Sequence, residues 1–182
     1  MTNHMLDQGL LVARLVPGLL MAAHGSQKLF GWLGGHGIRG TGGFFEGLGF
    51  RPGALFAFAA GCGELFGGLL LALGLFGPVG PALTICVMLV AAASVHAKNG
   101  LFVTSNGIEV PLLYAAVALA LALTGPGSLS LDDALGIGAL WTPLLIWVVL
   151  LVGVACGLAN LALRRPGGNQ GPDPDSYPGG RS

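Results

Sequence analysis

Long hydrophobic stretches alternate with short glycine- and proline-rich breaks along most of this chain. A helix needs about 20 mostly apolar residues to cross the hydrocarbon core of a bilayer. Five stretches reach or approach that length, the fourth being the shortest: 10–31, 54–76, 81–97, 110–124 and 141–163. The breaks GPVGP at 77–81 and TGPGS at 124–128 have the composition of turns. The pattern therefore predicts an all-α integral membrane bundle with five spans.

The composition supports a membrane protein over a soluble one. Of the 182 residues, 53% are hydrophobic and only 9% are charged, whereas soluble domains carry about 25% charged residues. This excludes an ordinary water-soluble enzyme and a disordered chain. The formal net charge is zero, so the basic surface of a nucleic-acid-binding protein is missing. We expect the lipid bilayer as a partner and no nucleic acid.

The distribution of charge predicts an orientation. With five spans, the N-terminus shares a side with loops 77–80 and 125–140, where the charged residues are all acidic. The other side carries the basic residues Arg39, Arg51, Lys98, Arg164, Arg165 and Arg181. Because positive residues stay in the cytoplasm, we expect the N-terminus outside and the C-terminus inside. Residues 166–182, rich in proline and glycine, are predicted to form a disordered cytoplasmic tail.

The loop 32–53 is long and glycine-rich and carries several aromatic residues. Two interpretations are open for it. A short interfacial or re-entrant helix would lie around residues 43–48, or the loop would be flexible and anchored by its aromatic side chains.

Small residues predict where helices approach closely. Gly63-x-x-x-Gly67 and Gly153-x-x-x-Gly157 both have the spacing of tight helix packing. The second pattern either docks the fifth span on its own bundle, which we favour, or forms a homo-oligomer interface.

The three cysteines lie inside apolar runs, and none belongs to a Cys-x-x-Cys pair. A thiol–disulfide relay needs paired, accessible thiols. We therefore interpret Cys62, Cys86 and Cys156 as small buried hydrophobic side chains.

Seven polar residues fall within or at the edge of the predicted spans: Arg14, His24, Gln27, Lys28, Glu64, His96 and Glu109. A charge in mid-membrane costs at least about 2.5–3.5 kcal/mol and requires a partner. Counting along the spans places Glu64 near the midplane, and we expect Arg14 to reach it from the outer side. The other five residues are expected to cluster in the inner half.

Three functions are compatible with this polar cluster. It is a buried network that fixes helix register, a site for a quinone or another small molecule, or a path for transport. In the second case Glu64 and His96 would be the catalytic proton donors or acceptors. The ligand-binding residues would be Arg14, His24, Gln27, Lys28 and Glu109. We expect no metal site. The residues leave the cofactor open: a quinone is compatible with them, and a haem, which would need His24 and His96 as facing neutral imidazoles, is less favoured.

Six motifs in a fixed order resemble the DoxX family of small bacterial and archaeal membrane proteins: LLVARLVPGLLMAAHGSQKLFGWLGGHG, GFFEGLGFRPG, GCGELFGGLLLALGLF, SVHAKNGLF, GIEVPLLYAAVALALALTGPG and SLSLDDALG. The resemblance implies an antiparallel four-helix membrane domain over 1–136. It leaves 137–165 as an additional C-terminal transmembrane helix before the tail at 166–182. The polar and glycine positions characteristic of that family match Arg14, Lys28, Glu64, His96, Gly107 and Glu109 here.

The same resemblance implies a function and a location. Some family members belong to membrane redox systems, including a thiosulfate:quinone oxidoreductase. We therefore expect an oxidoreductase subunit in the cytoplasmic membrane that works with a redox protein partner. The alternatives are a non-enzymatic scaffold or binding protein and, less favoured, a small transporter.

Overall fold

The computed structural model describes residues 4–165, which are helical with connecting loops and contain no strand. The predicted all-α fold is therefore confirmed. The α-helices are α1 His4–Phe30, α2 Gly37–Gly47, α3 Gly53–Leu73, α4 Val79–Ala91, α5 Glu109–Thr124, α6 Leu131–Ala134 and α7 Pro143–Ala162. Helix α4 continues as a π-helix, Ala92–His96, and a 3-10 turn, Ala97–Asn99. The predicted tail at 166–182 lies outside the described residues.

The five long helices α1, α3, α4, α5 and α7 run in alternating directions between two ends of a bundle. At one end, which we call the acidic end, the Ser128 N–H donates to the Asp7 carboxylate at 3.0 Å. This joins the segment after α5 to the start of α1. At the other end, the basic end, the Arg165 N–H donates to the Gly49 carbonyl at 2.8 Å. The end of α7 therefore lies against the loop between α2 and α3.

Four of the five predicted spans are helices long and apolar enough to cross a membrane: His4–Phe30, Gly53–Leu73, Val79–Asn99 and Pro143–Ala162. Helix α5 is also apolar but has only 16 residues, a length of about 24 Å at about 1.5 Å per residue. That is shorter than a hydrocarbon core of about 30 Å. Its two ends nevertheless reach the two ends of the bundle.

Helices α1 and α3 pack backbone against backbone through glycine. A Cβ atom on Gly25 would lie 2.7 Å from the Gly61 carbonyl, and one on Gly18 would lie 2.7 Å from the Ala72 nitrogen. Real side chains do not fit at such distances, so glycine is required at both positions. These contacts set an antiparallel register in which the two helices stay close along most of their length.

Both predicted small-residue motifs pack inside this chain. A Cβ on Gly63 would lie 2.9 Å from Val87 Cγ1, so this face of α3 lies against α4. On α7, a Cβ on Gly153 would lie 2.7 Å from the Ala82 carbonyl oxygen, and one on Gly157 would lie 3.2 Å from the Cys86 carbonyl oxygen. The Gly153–Gly157 motif therefore docks the last helix on its own bundle.

The loop 32–53 contains the predicted helix, but α2 begins at Gly37, six residues earlier than expected, and ends at Gly47. The interpretation as a flexible loop is therefore wrong. Outside the bundle, many large apolar side chains are exposed, such as Val12 at 61% and Leu151 at 63%. A surface of this kind suits contact with lipid.

Candidate functional site

A cavity of about 380 Å³ lies between α3, α4 and α7, towards the basic end of the bundle. Small-molecule sites are typically clefts of about 300–1,000 Å³ with an apolar lining and a few polar groups. The lining here has this character, because most of it is aliphatic or aromatic. Its polar side chains are Lys28, Glu64, Ser94, His96 and Asn160.

An ion pair between α1 and α3 forms part of the cavity wall. Lys28 Nζ donates to Glu64 Oε1 at 2.8 Å and to Oε2 at 2.6 Å. The Lys28 side chain is 25% exposed, whereas that of Glu64 is only 7% exposed. The glycine contact between Gly25 and Gly61 brings the two helices together just before this pair. The sequence placed both residues in the membrane, and the structure pairs their charges.

His96 enters the cavity wall from the π-helix at the end of α4. A π-helical turn is rare and is often found at functional sites. His96 Nδ1 lies 2.9 Å from the Asn106 carbonyl oxygen. Because a carbonyl only accepts hydrogen bonds, Nδ1 carries the proton. In the neutral ring, Nε2 is then the basic nitrogen.

Four phenylalanines form an aromatic wall on the side of α2 and the start of α3: Phe44, Phe45, Phe50 and Phe56. Their rings form a chain, with centroids 6.0 Å apart between Phe44 and Phe45 and 5.9 Å between Phe45 and Phe50. The Phe50 and Phe56 rings are 5.1 Å apart. Such a wall offers a flat aromatic ligand ring faces and edges to pack against.

The predicted pairing of Arg14 with Glu64 is wrong. Arg14 lies at the acidic end, where its guanidinium donates to the Pro126 carbonyl at 2.7 Å and to the Leu129 carbonyl. The antiparallel register places it beside Gly74, ten residues beyond Glu64 along α3. At about 1.5 Å per residue, that is about 15 Å, beyond the reach of the side chain. Arg14 is 3% exposed and fixes the loop after α5.

The remaining predicted ligand residues do not line the cavity. His24 Nδ1 is 3.2 Å from Gln27 Oε1, and Gln27 Nε2 donates to the Leu33 carbonyl at 3.0 Å. Glu109 accepts from the Val103 N–H at 2.7 Å, within the loop before α5. The expected inner cluster is thus divided into a cavity group and two local hydrogen-bonded groups.

Several cavity residues were not predicted from the sequence. Asn160 comes from α7, and Ser94 has its hydroxyl bonded to the Val90 carbonyl at 2.6 Å. Asn160 could have been found from the sequence, because a polar amide within the apolar run of the last span indicates a functional or structural role. Cys86 and Cys156 also line the cavity, and Cys156 is exposed rather than buried as expected.

A second polar centre, also missed, lies at the acidic end. Asp132 is 1% exposed and accepts hydrogen bonds from the Phe76 and Gly77 N–H groups, both at 2.7 Å. The Trp141 indole N–H donates to the same carboxylate at 2.9 Å. Asp132 thereby ties the turn between α3 and α4 to the segment that enters α7. Both of its carboxylate oxygens accept hydrogen bonds within the chain, which is the arrangement of a structural centre.

In residues 4–165, no three His, Cys, Asp or Glu side chains come together in a group that could hold a metal ion. The cavity wall combines a charged pair, a histidine and an aromatic wall. These groups surround a space large enough for one substituted ring.

The family model described as DoxX matches residues 9–97, which include Arg14, Lys28, Glu64 and His96. No curated protein matches the chain, and neither does any solved structure. Helix α7 and its cavity residue Asn160 lie beyond the matched segment. Through residues 9–97, this chain belongs to the DoxX family and is a multi-pass membrane protein.

Proposed function

We propose that this protein is a subunit of a quinone-linked membrane oxidoreductase system and binds a quinone ring in the cavity. The observation that carries the proposal is the Lys28–Glu64 ion pair in the wall of an otherwise largely apolar cavity of about 380 Å³. A charged donor facing an apolar space favours a ligand with a carbonyl oxygen on an apolar body.

The residues present fit a quinone in three respects. Lys28 supplies a charged donor for a ring carbonyl, and the aromatic wall supplies packing for the ring. Phe44 and Cys156 line the cavity and are also exposed on the bundle surface. The cavity therefore reaches the outside of the bundle, where an apolar tail would lie in lipid.

Different residues of the chain hold the ligand and move protons. Lys28 orients the carbonyl while remaining bonded to Glu64. His96, with its proton on Nδ1, offers Nε2 as a proton acceptor. Glu64 relays a proton through its pair with Lys28. A quinone, when bound, supplies two-electron redox chemistry, and a partner protein supplies the electrons.

The same proposal includes a location and an orientation. Arg164 and Arg165 follow α7 at the basic end, whereas Asp7, Asp132 and Asp133 lie at the acidic end. By the positive-inside rule the basic end faces the cytoplasm, with the N-terminus outside. The cavity is then in the cytoplasmic half of the membrane. We propose residues 1–136 as the family domain and 137–165 as an added helix that completes the cavity.

The test is quinone binding by the purified protein in lipid nanodiscs. Extracts of wild type are analysed by mass spectrometry for co-purified quinone, and a short-chain benzoquinone is titrated against the emptied protein. Lys28→Met removes a charged hydrogen bond worth about 1.5–3 kcal/mol, so affinity should fall about tenfold or more. Lys98→Met, an exposed lysine outside the cavity, is the matched control. Equal affinity for all three proteins would contradict the proposal.

One observation favours a second function, that of a scaffold whose polar network is purely structural. Lys28 already gives two hydrogen bonds to Glu64, so the pair is complete without a ligand. Under this alternative, no quinone co-purifies, and Lys28→Met lowers the unfolding temperature without any change in ligand binding.

A further inference from the structure

Two cysteines from different helices line the wall of the same cavity. Cys86 lies on α4 and Cys156 on α7, far apart in the sequence. The helices touch at this level, because a Cβ on Gly157 would be 3.2 Å from the Cys86 carbonyl oxygen and 3.6 Å from its Cα. Cys156 is the residue next to Gly157 on α7 and lines the cavity together with Cys86. The fold thus supplies a thiol pair that no local motif reveals.

The surroundings of this pair differ from those of a buried, inert cysteine. Cys156 is exposed and Cys86 is half-buried, and both are in the free thiol form. His96 and Lys28 line the same cavity. The third cysteine, Cys62, does not line the cavity. It provides an internal reference for any reaction of the other two.

We propose that Cys86 and Cys156 form a reversible dithiol–disulfide couple that passes two electrons to a quinone held in the cavity, an inference that rests on the proposed function. The two S–H bonds break and one S–S bond forms between the helices. The thiols lose two protons and two electrons in total. The quinone takes up both and leaves as the hydroquinone, and a thiol reductant restores the pair.

The geometry is tested first, without any quinone. The full-length Cys62→Ser protein in nanodiscs is treated with the thiol oxidant diamide, unfolded, and alkylated with a maleimide. We expect loss of alkylation at both remaining cysteines, recovery with dithiothreitol, and a cross-linked peptide joining α4 to α7 by mass spectrometry. Cys86→Ser and Cys156→Ser in the same background should each keep their one thiol. Retained alkylation, or a disulfide only between two chains, would overturn the pair.

The electron transfer is tested second, with a short-chain benzoquinone in the absence of oxygen. We expect hydroquinone absorbance to appear in step with the loss of both thiols, and neither change in the two serine variants. If the quinone binds but the thiols stay reduced, the inference is overturned while the proposed function stands. If diamide closes the disulfide but no quinone binds, the proposed function is overturned, and so is electron transfer from the thiol pair to a quinone.

Discussion

Lys28 and Glu64 face each other across the contact between α1 and α3, with both carboxylate oxygens within 2.8 Å of one ammonium nitrogen. The two partners are not equally sheltered, because Glu64 is much less exposed than Lys28. A charge left alone is therefore more costly on the glutamate side. This asymmetry allows a stability test that does not depend on any ligand.

Lys28→Met should destabilise the protein more than Glu64→Gln does. The first change leaves a buried carboxylate unpaired, whereas the second leaves an ammonium that has partial access to solvent. The cost of Lys28→Met should lie between about 1 kcal/mol, as for surface pairs, and about 3–5 kcal/mol, as for broken buried pairs. Thermal unfolding in nanodiscs measures both variants.

The double variant Lys28→Met with Glu64→Gln supplies the control for that comparison. Because it removes both charges, it should be more stable than the Lys28→Met single variant. A double variant whose loss equals the sum of the two single losses would show that the residues do not act as a pair.

The close packing that positions this pair can be tested at Gly25. Gly25→Ala places a methyl carbon only 2.7 Å from the Gly61 carbonyl oxygen, and must push α1 away from α3. Overpacking of this kind costs about 1–3 kcal/mol. We expect a lower unfolding temperature and weaker quinone binding, since Lys28 moves with its helix.

Gly9→Ala is the matched control on the same helix, because nothing lies within 4 Å of its added Cβ. It should be neutral or slightly stabilising, since alanine favours a helix over glycine by about 1 kcal/mol. If both variants behave alike, the close contact at Gly25 does not determine the register.

The sequence was sufficient for the helices because each long apolar run had to be buried or face lipid, and turn residues marked the breaks. The GPVGP break lies between α3, which ends at Leu73, and α4, which begins at Val79. The exception is α2, whose start was predicted too late because the segment 37–43 is rich in glycine. Their low helix propensity is overcome by packing against α3.

The site was less predictable, because pairing depends on register between helices and not on depth along one of them. Arg14 and Lys28 were both candidates for Glu64, and only the glycine contacts between α1 and α3 decide in favour of Lys28. In the same way, Cys86 and Cys156 line one cavity because α7 docks on α4. Neither relationship has a spacing that can be read along the chain.

Asp132 should be essential to the acidic end, even though it lies far from the cavity. Asp132→Asn keeps the shape but turns an N–H₂ group towards donors that need an acceptor. Leaving a buried polar group unsatisfied costs about 1–3 kcal/mol. We expect a lower unfolding temperature together with a change in the fluorescence of Trp141, whose indole N–H loses its charged partner.

Asp133→Asn is the control for this prediction, because Asp133 is the next residue on α6 and its side chain is exposed. Its unfolding temperature should remain within experimental error of wild type. A similar loss in both variants would indicate a general effect of negative charge at this end and not the specific hydrogen bonds of Asp132.

The proposed orientation, with the basic end in the cytoplasm, can be tested directly. The basic end of the bundle carries Arg164 and Arg165, and both contact the loop after α2: Arg164 Nε donates to the Leu48 carbonyl at 2.5 Å. If this end faces the cytoplasm, green fluorescent protein fused to the C-terminus should fluoresce, and alkaline phosphatase fused there should be inactive.

Cysteine labelling tests the same orientation at both ends of the bundle. In a background lacking the three natural cysteines, a single cysteine at Gly136, in the loop between α6 and α7 at the acidic end, should react with a membrane-impermeant maleimide added to intact cells. One at Gly100, at the basic end, should react only after the membrane is opened. The reverse pattern would place the cavity in the outer half of the membrane, because the five helices keep both ends of the bundle fixed relative to each other.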